Sequence, residues 1–135
     1  MKVTPEQLRA RTKQFDVRIV RLCNELPRTD AARTLGRQLL RAGTSVAANY
    51  RAAGRGRSRA EFAAKMGTVV EEADEAVFWL ELLIETGTLP QSRLESLLRE
   101  ANELLAIFSA SHSTVRRGVA RGKTQQSPDR PMTRL

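Results

Sequence analysis

Four stretches of the sequence place apolar residues alternately four and three positions apart, the spacing that keeps one stripe of a helix turned toward a partner helix. The first carries Leu8, Phe15, Ile19, Leu22 and Leu26, with Thr12 filling the missing step. Thr4 is placed to cap it, Pro5 suits the first helical position, where its absent N–H is no loss, and Pro27 ends it. The second carries Leu35, Leu39, Ala42, Val46, Asn49 and Ala53, with Asp30 as the expected N-cap and the glycines of AAGRGRS as the stop. Ser58, followed three residues later by Glu61, has the pattern of a capping box. It opens the third stretch, Phe62, Met66, Val69, Ala73, Ala76, Leu80 and Leu83, which stops at Gly87. Pro90 and Ser92 introduce the fourth, Leu94, Leu97, Ala101, Leu104 and Phe108, expected to fray between Ser109 and Ser113.

Short connections between long helices force neighbours to run antiparallel, so the spacing predicts an all-α, up-down-up-down four-helix bundle. A length of 135 residues with 41% hydrophobic content allows one domain with a real core, and 4% aromatic content means that the core is built from Leu, Val, Ile and Ala. The bundle is expected over residues 1–115. Beyond it, RRGVARGKTQQSPDRPMTRL has no periodic apolar face, and its Gly, Pro, Gln and basic content predicts a disordered basic tail over 116–135.

Several function classes lose their footing. Cys23 is the only cysteine, which leaves no intrachain disulfide and no thiolate set for zinc, and suits a reducing compartment. The opening MKVTPEQLRARTKQF lacks the apolar core of a signal peptide, and no purely apolar run is longer than Ala76 to Leu80, far short of a membrane span, so a cytoplasmic location is expected, without membrane association. Paired carboxylates on bundle helices hold two metals through Glu-x-x-His motifs, but the only histidine, His112, has no carboxylate three residues before it. One histidine and one cysteine assemble no nucleophile–base pair, and GRGRS matches no phosphate-loop spacing. The expectation is a non-enzyme with no cofactor, metal or small-molecule substrate.

Charge is distributed unevenly along this frame. The net formal charge is +8, and from Arg28 to Arg59 the arginines 28, 33, 37, 41, 51, 55, 57 and 59 face only Asp30. From Glu61 to Glu85 the balance inverts, with Glu61, Glu71, Glu72, Asp74, Glu75, Glu81 and Glu85 against Lys65 alone. Such a reversal along adjacent helices calls for a complement, either another copy of the chain or a polyanion. Projected at about 100° per residue, Arg33, Arg37, Arg51 and Arg55 fall opposite the core of the second helix with Thr44 and Ala48 between them, a basic groove floored by small residues. On the third helix Glu71, Glu75 and Glu85 point outward, with Phe78 and Leu82 among them, and Trp79 lies at the edge of the core stripe. Asn49, at a core step, is expected to be a buried amide fixing helix register, with a ligand pocket as the alternative.

The stretch RQLLRAGTSVAANYRAAGRGRSRAEFAAKMGTVVEEADEAVFWLELLIETG resembles the core motif of the bacterial four-helix-bundle proteins, some of which are encoded in intervening sequences of large-subunit ribosomal RNA genes. The likeness joins the arginine and small-residue helix, Asn49, the Arg57-Ser58 turn, Glu61-Phe62 and the Glu-rich helix in one order, and spans about Leu8 to Ser111. It implies an antiparallel bundle assembled as a homopentamer, distantly like the accessory proteins of diversity-generating retroelements, which are thought to bind nucleic acid and a reverse transcriptase. The family has no established biochemical activity. This chain departs from the common pattern at Tyr50, Arg51, Ala52 and Ala53 and at Glu71-Glu72.

Two readings follow. In the first, an oligomeric bundle binds RNA or DNA backbone through Arg37, Arg41, Arg51, Arg55, Arg57 and Arg59, with the tail arginines adding affinity. In the second, the arginines are used between subunits of a cyclic homo-oligomer, the third helix of one copy (Glu71, Glu75, Phe78, Trp79, Leu82) docking beside the second helix of the next (Arg33, Arg37, Thr44, Ala48).

Overall fold

The computed structural model describes residues 3–124, and 125–135 lie outside the described residues. It contains four helices in chain order, α1 (Pro5–Asn24), α2 (Asp30–Ala53), α3 (Arg59–Glu85) and α4 (Gln91–Thr124). Each packs against its neighbour in sequence and α1 also meets α4, while the diagonal pairs keep their backbones apart, as in the expected antiparallel bundle.

The helix ends follow from side-chain chemistry. Thr4 accepts from the Gln7 N–H while the Gln7 side chain accepts from the Thr4 N–H, a complete capping box ahead of Pro5. Thr29, rather than Asp30, caps α2: its hydroxyl accepts from Ala32 N at 3.1 Å, leaving Asp30 to interact with the positive helix end from inside the first turn. The Ser58 hydroxyl accepts from Glu61 N at 3.0 Å. α3 stops in a Schellman motif, with Thr88 N donating to Leu83 O, Gly87 N donating to Ile84 O, and Gly87 at φ +66°, the left-handed conformation that only glycine adopts without strain.

The predicted stripes form the core. Phe15, Ile19, Leu39, Val46, Met66, Val69, Leu80, Leu83, Leu94, Leu104 and Phe108 are essentially inaccessible to solvent, and Thr12 is buried at the step it was expected to fill. Its hydroxyl donates back to the Leu8 and Arg9 carbonyls, so a polar group is buried without an unmet bond. Four positions of the expected stripes, Leu26, Leu35, Asn49 and Phe62, are only partly buried. Asn49 is half-buried and donates to the Ser45 carbonyl of its own helix at 2.9 Å; the core place belongs to Tyr50, whose ring lies 5.2 Å from that of Phe108. The buried residues Ala32, Gly36, Leu39, Gly43, Val46, Tyr50 and Ala53 alternate four and three apart along the whole of α2, with Ala42 buried beside Gly43, so the register that faces the core takes Gly36 and Tyr50 where Leu35 and Asn49 were expected.

The fourth helix also departs from expectation. It does not fray at Ser109 to Ser113 but runs on to Thr124, so residues 116–124 of the expected tail are helical. The stripe continues weakly through Val115 and Val119, both partly buried, and His112 lies over Gly67 of α3. Arg59, at the start of α3, shares a cavity with Val115, Gly118 and Arg121 of this extension, which stays helical through Gly118 and Gly122 despite the low helix propensity of glycine.

Two glycines of α2 lie tightly against α1 and the connection that follows it. A Cβ on Gly36 would come within 2.7 Å of Leu26 Cδ1, and one on Gly43 would meet both Ile19 Cγ atoms at 3.1 Å. The α1–α4 seam is looser and bridged by long side chains: Arg11 grips Glu100 in a two-bonded fork, Nε and Nη2 each at 2.7 Å, and reaches Glu103 at 3.0 Å, while Arg18 donates to Ser96 and Arg93 pairs with Glu25. Because Ile19 is fully buried and stiff at χ1, Gly43→Val is expected to destabilise the fold by about 1–3 kcal/mol, whereas Gly118→Ala, with nothing within 4 Å of its Cβ, is expected to raise stability by up to about 1 kcal/mol. Urea unfolding of the two variants checks the opposite signs.

Candidate functional site

The small residues that draw α2 onto α1 leave a furrow along the outer side of the pair. Toward the end of α2 it opens into a cavity of about 670 Å³. Ala10, Thr44, Ala47, Ala48 and Gly54 floor it, Arg9 and Lys13 of α1, Arg51 of α2 and Arg55 just past the end of α2 rim it, and Asp16 lines it beside Ala47. Toward the start of α2 a second cavity, about 360 Å³, is lined by Cys23, Asn24 and Arg28 on one side and Arg33, Gly36 and Arg37 on the other. The basic groove expected from α2 alone is therefore one wall of a two-helix furrow. The other wall was missed, although Arg9, Lys13 and Asp16 stand at steps of four and three on the outer face of α1, a polar periodicity as regular as the apolar one.

The six arginines expected to meet nucleic acid separate into groups. Arg51 and Arg55 share the larger cavity and Arg37 lies in the smaller one. Arg57 is exposed in the α2–α3 connection, and Arg59 lines a third cavity of about 730 Å³ with Ser111, Thr114, Val115, Gly118 and Arg121 of the extended α4. Among the described residues none of these five forms an ion pair. Arg41 is different: it pairs with Glu75 and stands 3.7 Å from Glu72, so part of the charge reversal is satisfied inside one chain, between adjacent helices. Arg33 lies 3.7 Å from Asp30 in its own first turn, an exposed pair of little energetic weight.

On α3, Phe78 is 51% exposed and meets Trp79 edge-to-face at 4.9 Å. Leu82 is half-buried and Glu71 exposed. Trp79 packs against the core while its indole N–H points to Glu75 at 3.4 Å, so it both closes the bundle and borders the outer patch. Thr44 donates to Leu40 O and Ala48 is exposed, which leaves the centre of the α2 stripe flat.

Four groups carry shifted pKa values for physical reasons, the first being Arg11, which its hydrogen bonds to Glu100 hold more firmly charged. Burial pushes the Cys23 thiol up, where it donates to Gly36 O at 3.5 Å, and burial raises the Tyr50 hydroxyl, partly offset by Arg9. Asp16 is pushed up to about 7, because burial outweighs the hydrogen bond from the Ala47 backbone. Its Oδ1 is shut away from solvent without a hydrogen-bond partner. A carboxyl whose folded pKa lies above its unfolded value holds its proton better in the folded state, so stability is fullest below about pH 4 on this account and is lost as pH rises toward 7. Asp16→Asn is accordingly expected to raise the melting temperature at pH 8 and to change it much less at pH 4.5. Thermal unfolding at both values tests this, and equal shifts would refute the assignment.

No helix among the described residues is long and apolar enough to cross a membrane. Comparison with curated proteins gives no match. The fold is similar to the crystal structure of a protein of unknown function from the S23 ribosomal protein family of Bacteroides thetaiotaomicron, with a TM-score of 0.75 and 32% identity, covering 81% of this chain and 97% of that one. Residues 7–110 match the family described as 23S rRNA-intervening sequence protein. That match takes in α2, α3 and nearly all of α1, and stops where α4 continues alone along α3. With both findings agreeing on sequence and fold, the chain belongs to the 23S rRNA-intervening sequence protein family.

Proposed function

We infer that this protein is a non-enzymatic helical bundle that binds nucleic-acid backbone through the α1–α2 furrow, without strong sequence preference. The supporting observation is that Arg9, Lys13, Arg37, Arg51 and Arg55 line a concave, small-residue furrow and, among the described residues, have no ion-pair partner. Cations gathered without counter-charges are suited to phosphates, whose neutralisation releases condensed counterions and makes affinity fall steeply with salt. Membership of a family named for ribosomal RNA intervening sequences makes structured RNA the first polyanion to try. The lack of interleaved exposed aromatics along the furrow argues against stacking of unpaired bases.

A second reading rests on Phe78, too exposed and too close to Trp79 and Leu82 to be an ordinary surface residue. Here the α3 patch is a contact between copies of the chain in a cyclic oligomer, pentameric by family resemblance. If the patch seats on α2 of the next copy, it covers Thr44 and Ala48 and competes with nucleic acid for that face.

Fluorescence anisotropy against ribosomal RNA helices over a salt series tests the first reading. Binding is expected to lose about 0.9 log units per log unit of salt for each phosphate contacted, and Arg51→Glu/Arg55→Glu to weaken it at least tenfold and lower the slope by about 2. No binding at low salt rejects it. For the second reading, Phe78→Glu is expected to reduce the mass measured by light scattering; an unchanged mass removes the patch from assembly.

A further inference from the structure

The part of α4 that runs past the family-matched residues builds a site of its own. Residues 111, 114, 115, 118 and 121 recur three and four apart and so share one face of α4. With Arg59 of α3 that face lines the cavity of about 730 Å³, and of its lining only Arg59 and Ala110 fall within residues 7–110. Gly118 leaves the wall open, because a Cβ there would meet nothing within 4 Å. Thr114 donates its hydroxyl to the Ala110 carbonyl at 3.0 Å, whereas the Ser111 hydroxyl donates to nothing among the described residues. Arg59 and Arg121, one from each helix, likewise form no ion pair among the described residues.

Each guanidinium offers a planar fork of donors that matches phosphate oxygens, and Ser111 adds a further donor from the wall between them. What favours a phosphate within a chain over a free one is continuity with the furrow. Arg55 rims the larger cavity of the furrow, and Arg59 lines this one. Four residues cover at most about 14 Å even when fully extended, and Arg57 stands exposed between the two. Residues 55–59 contain no acid, and Glu61, the first beyond them, pairs with none of these arginines among the described residues. Phosphates of one strand follow one another about every 3.4 Å along the axis of a duplex, so about four of them cover the step from Arg55 to Arg59. The cations at the end of the furrow therefore continue around the α2–α3 connection into the cavity beside α4.

Resting on the reading of the furrow as a nucleic-acid site, we propose that this cavity is its second phosphate seat: a backbone leaving the furrow at Arg55 passes Arg57 and sets a phosphate between Arg59 and Arg121. The full chain is titrated with ribosomal RNA helices over a salt series, read by fluorescence anisotropy. Arg59→Glu/Arg121→Glu is expected to weaken binding about tenfold and to lower the salt slope by about 2, with an unchanged helical circular dichroism spectrum. Gly118→Leu, which puts a side chain into the cavity without changing charge, is expected to weaken binding several-fold. Arg21→Glu/Arg99→Glu makes the same change of net charge at two exposed residues that line none of the three cavities, and is expected to cost less than about threefold. Wild-type affinity in either cavity variant, or an equal loss in the charge-matched control, overturns the second seat, and the furrow reading still stands if Arg51→Glu/Arg55→Glu weakens binding. A loss at Arg59 and Arg121 with wild-type affinity in Arg51→Glu/Arg55→Glu rejects the furrow and with it the joined site. Failure of the wild-type chain to bind overturns both.

Discussion

Everything on the outer side of this bundle depends on how closely α1 lies against α2. Ile19 of α1 rests on Gly43, and Leu26, just past the end of α1, rests on Gly36, so α2 offers almost no side chain at either contact. Where bulky residues would have filled the outer angle between two cylinders, Thr44, Ala47 and Ala48 leave it open. The furrow is thus the outward expression of a core contact, and the arginines flank it because the same helical period that sets small residues toward α1 sets the long ones beside them. Dispersion between close-packed atoms holds the walls rigid, which charge alone, screened by salt at this exposed surface, would not do.

The charges themselves are spent in two ways. On the α1–α4 side Arg11, Glu100 and Glu103 tie together helices that meet only lightly, and on the α2–α3 side Arg41 answers Glu72 and Glu75. These pairs take up acids of α3 and α4 within the chain. The cations of the α1–α2 side have no such neighbours, and Asp16, the acid closest to them, is held toward its neutral form by burial. One face of the bundle is therefore left with a surplus of positive charge that folding does not consume.

Much of this was legible in the sequence. The four stripes, the caps at Thr4 and Ser58, and the stop at Gly87 are local signals, and local signals survive into the fold because each concerns groups within a turn of one another. Thr29 was passed over for Asp30 because both are good capping residues and only backbone geometry separates them. Asn49 and Tyr50 exchanged roles because α2 offers two neighbouring four–three registers, and the small residues Gly36, Ala42 and Gly43 leave spacing alone unable to choose between them. The far end of α4 looked like a tail because its glycines and small residues argue against a helix, while the surface it lies on, the start of α3, is distant in sequence. The furrow was half legible: its α2 wall followed from projection, whereas its α1 wall required knowing which two helices lie side by side and at what height.

Trp79 occupies the junction of three environments. Its ring rests on the core, its N–H faces the carboxylate that Arg41 also engages, and Phe78 lies edge-on at its outer side. The chain has no second tryptophan. Its emission is therefore a native optical probe, reporting from a single known place whether the α3 face is wet or covered and whether the neighbouring arginine still holds its acid. No label has to be introduced into the protein to follow either event.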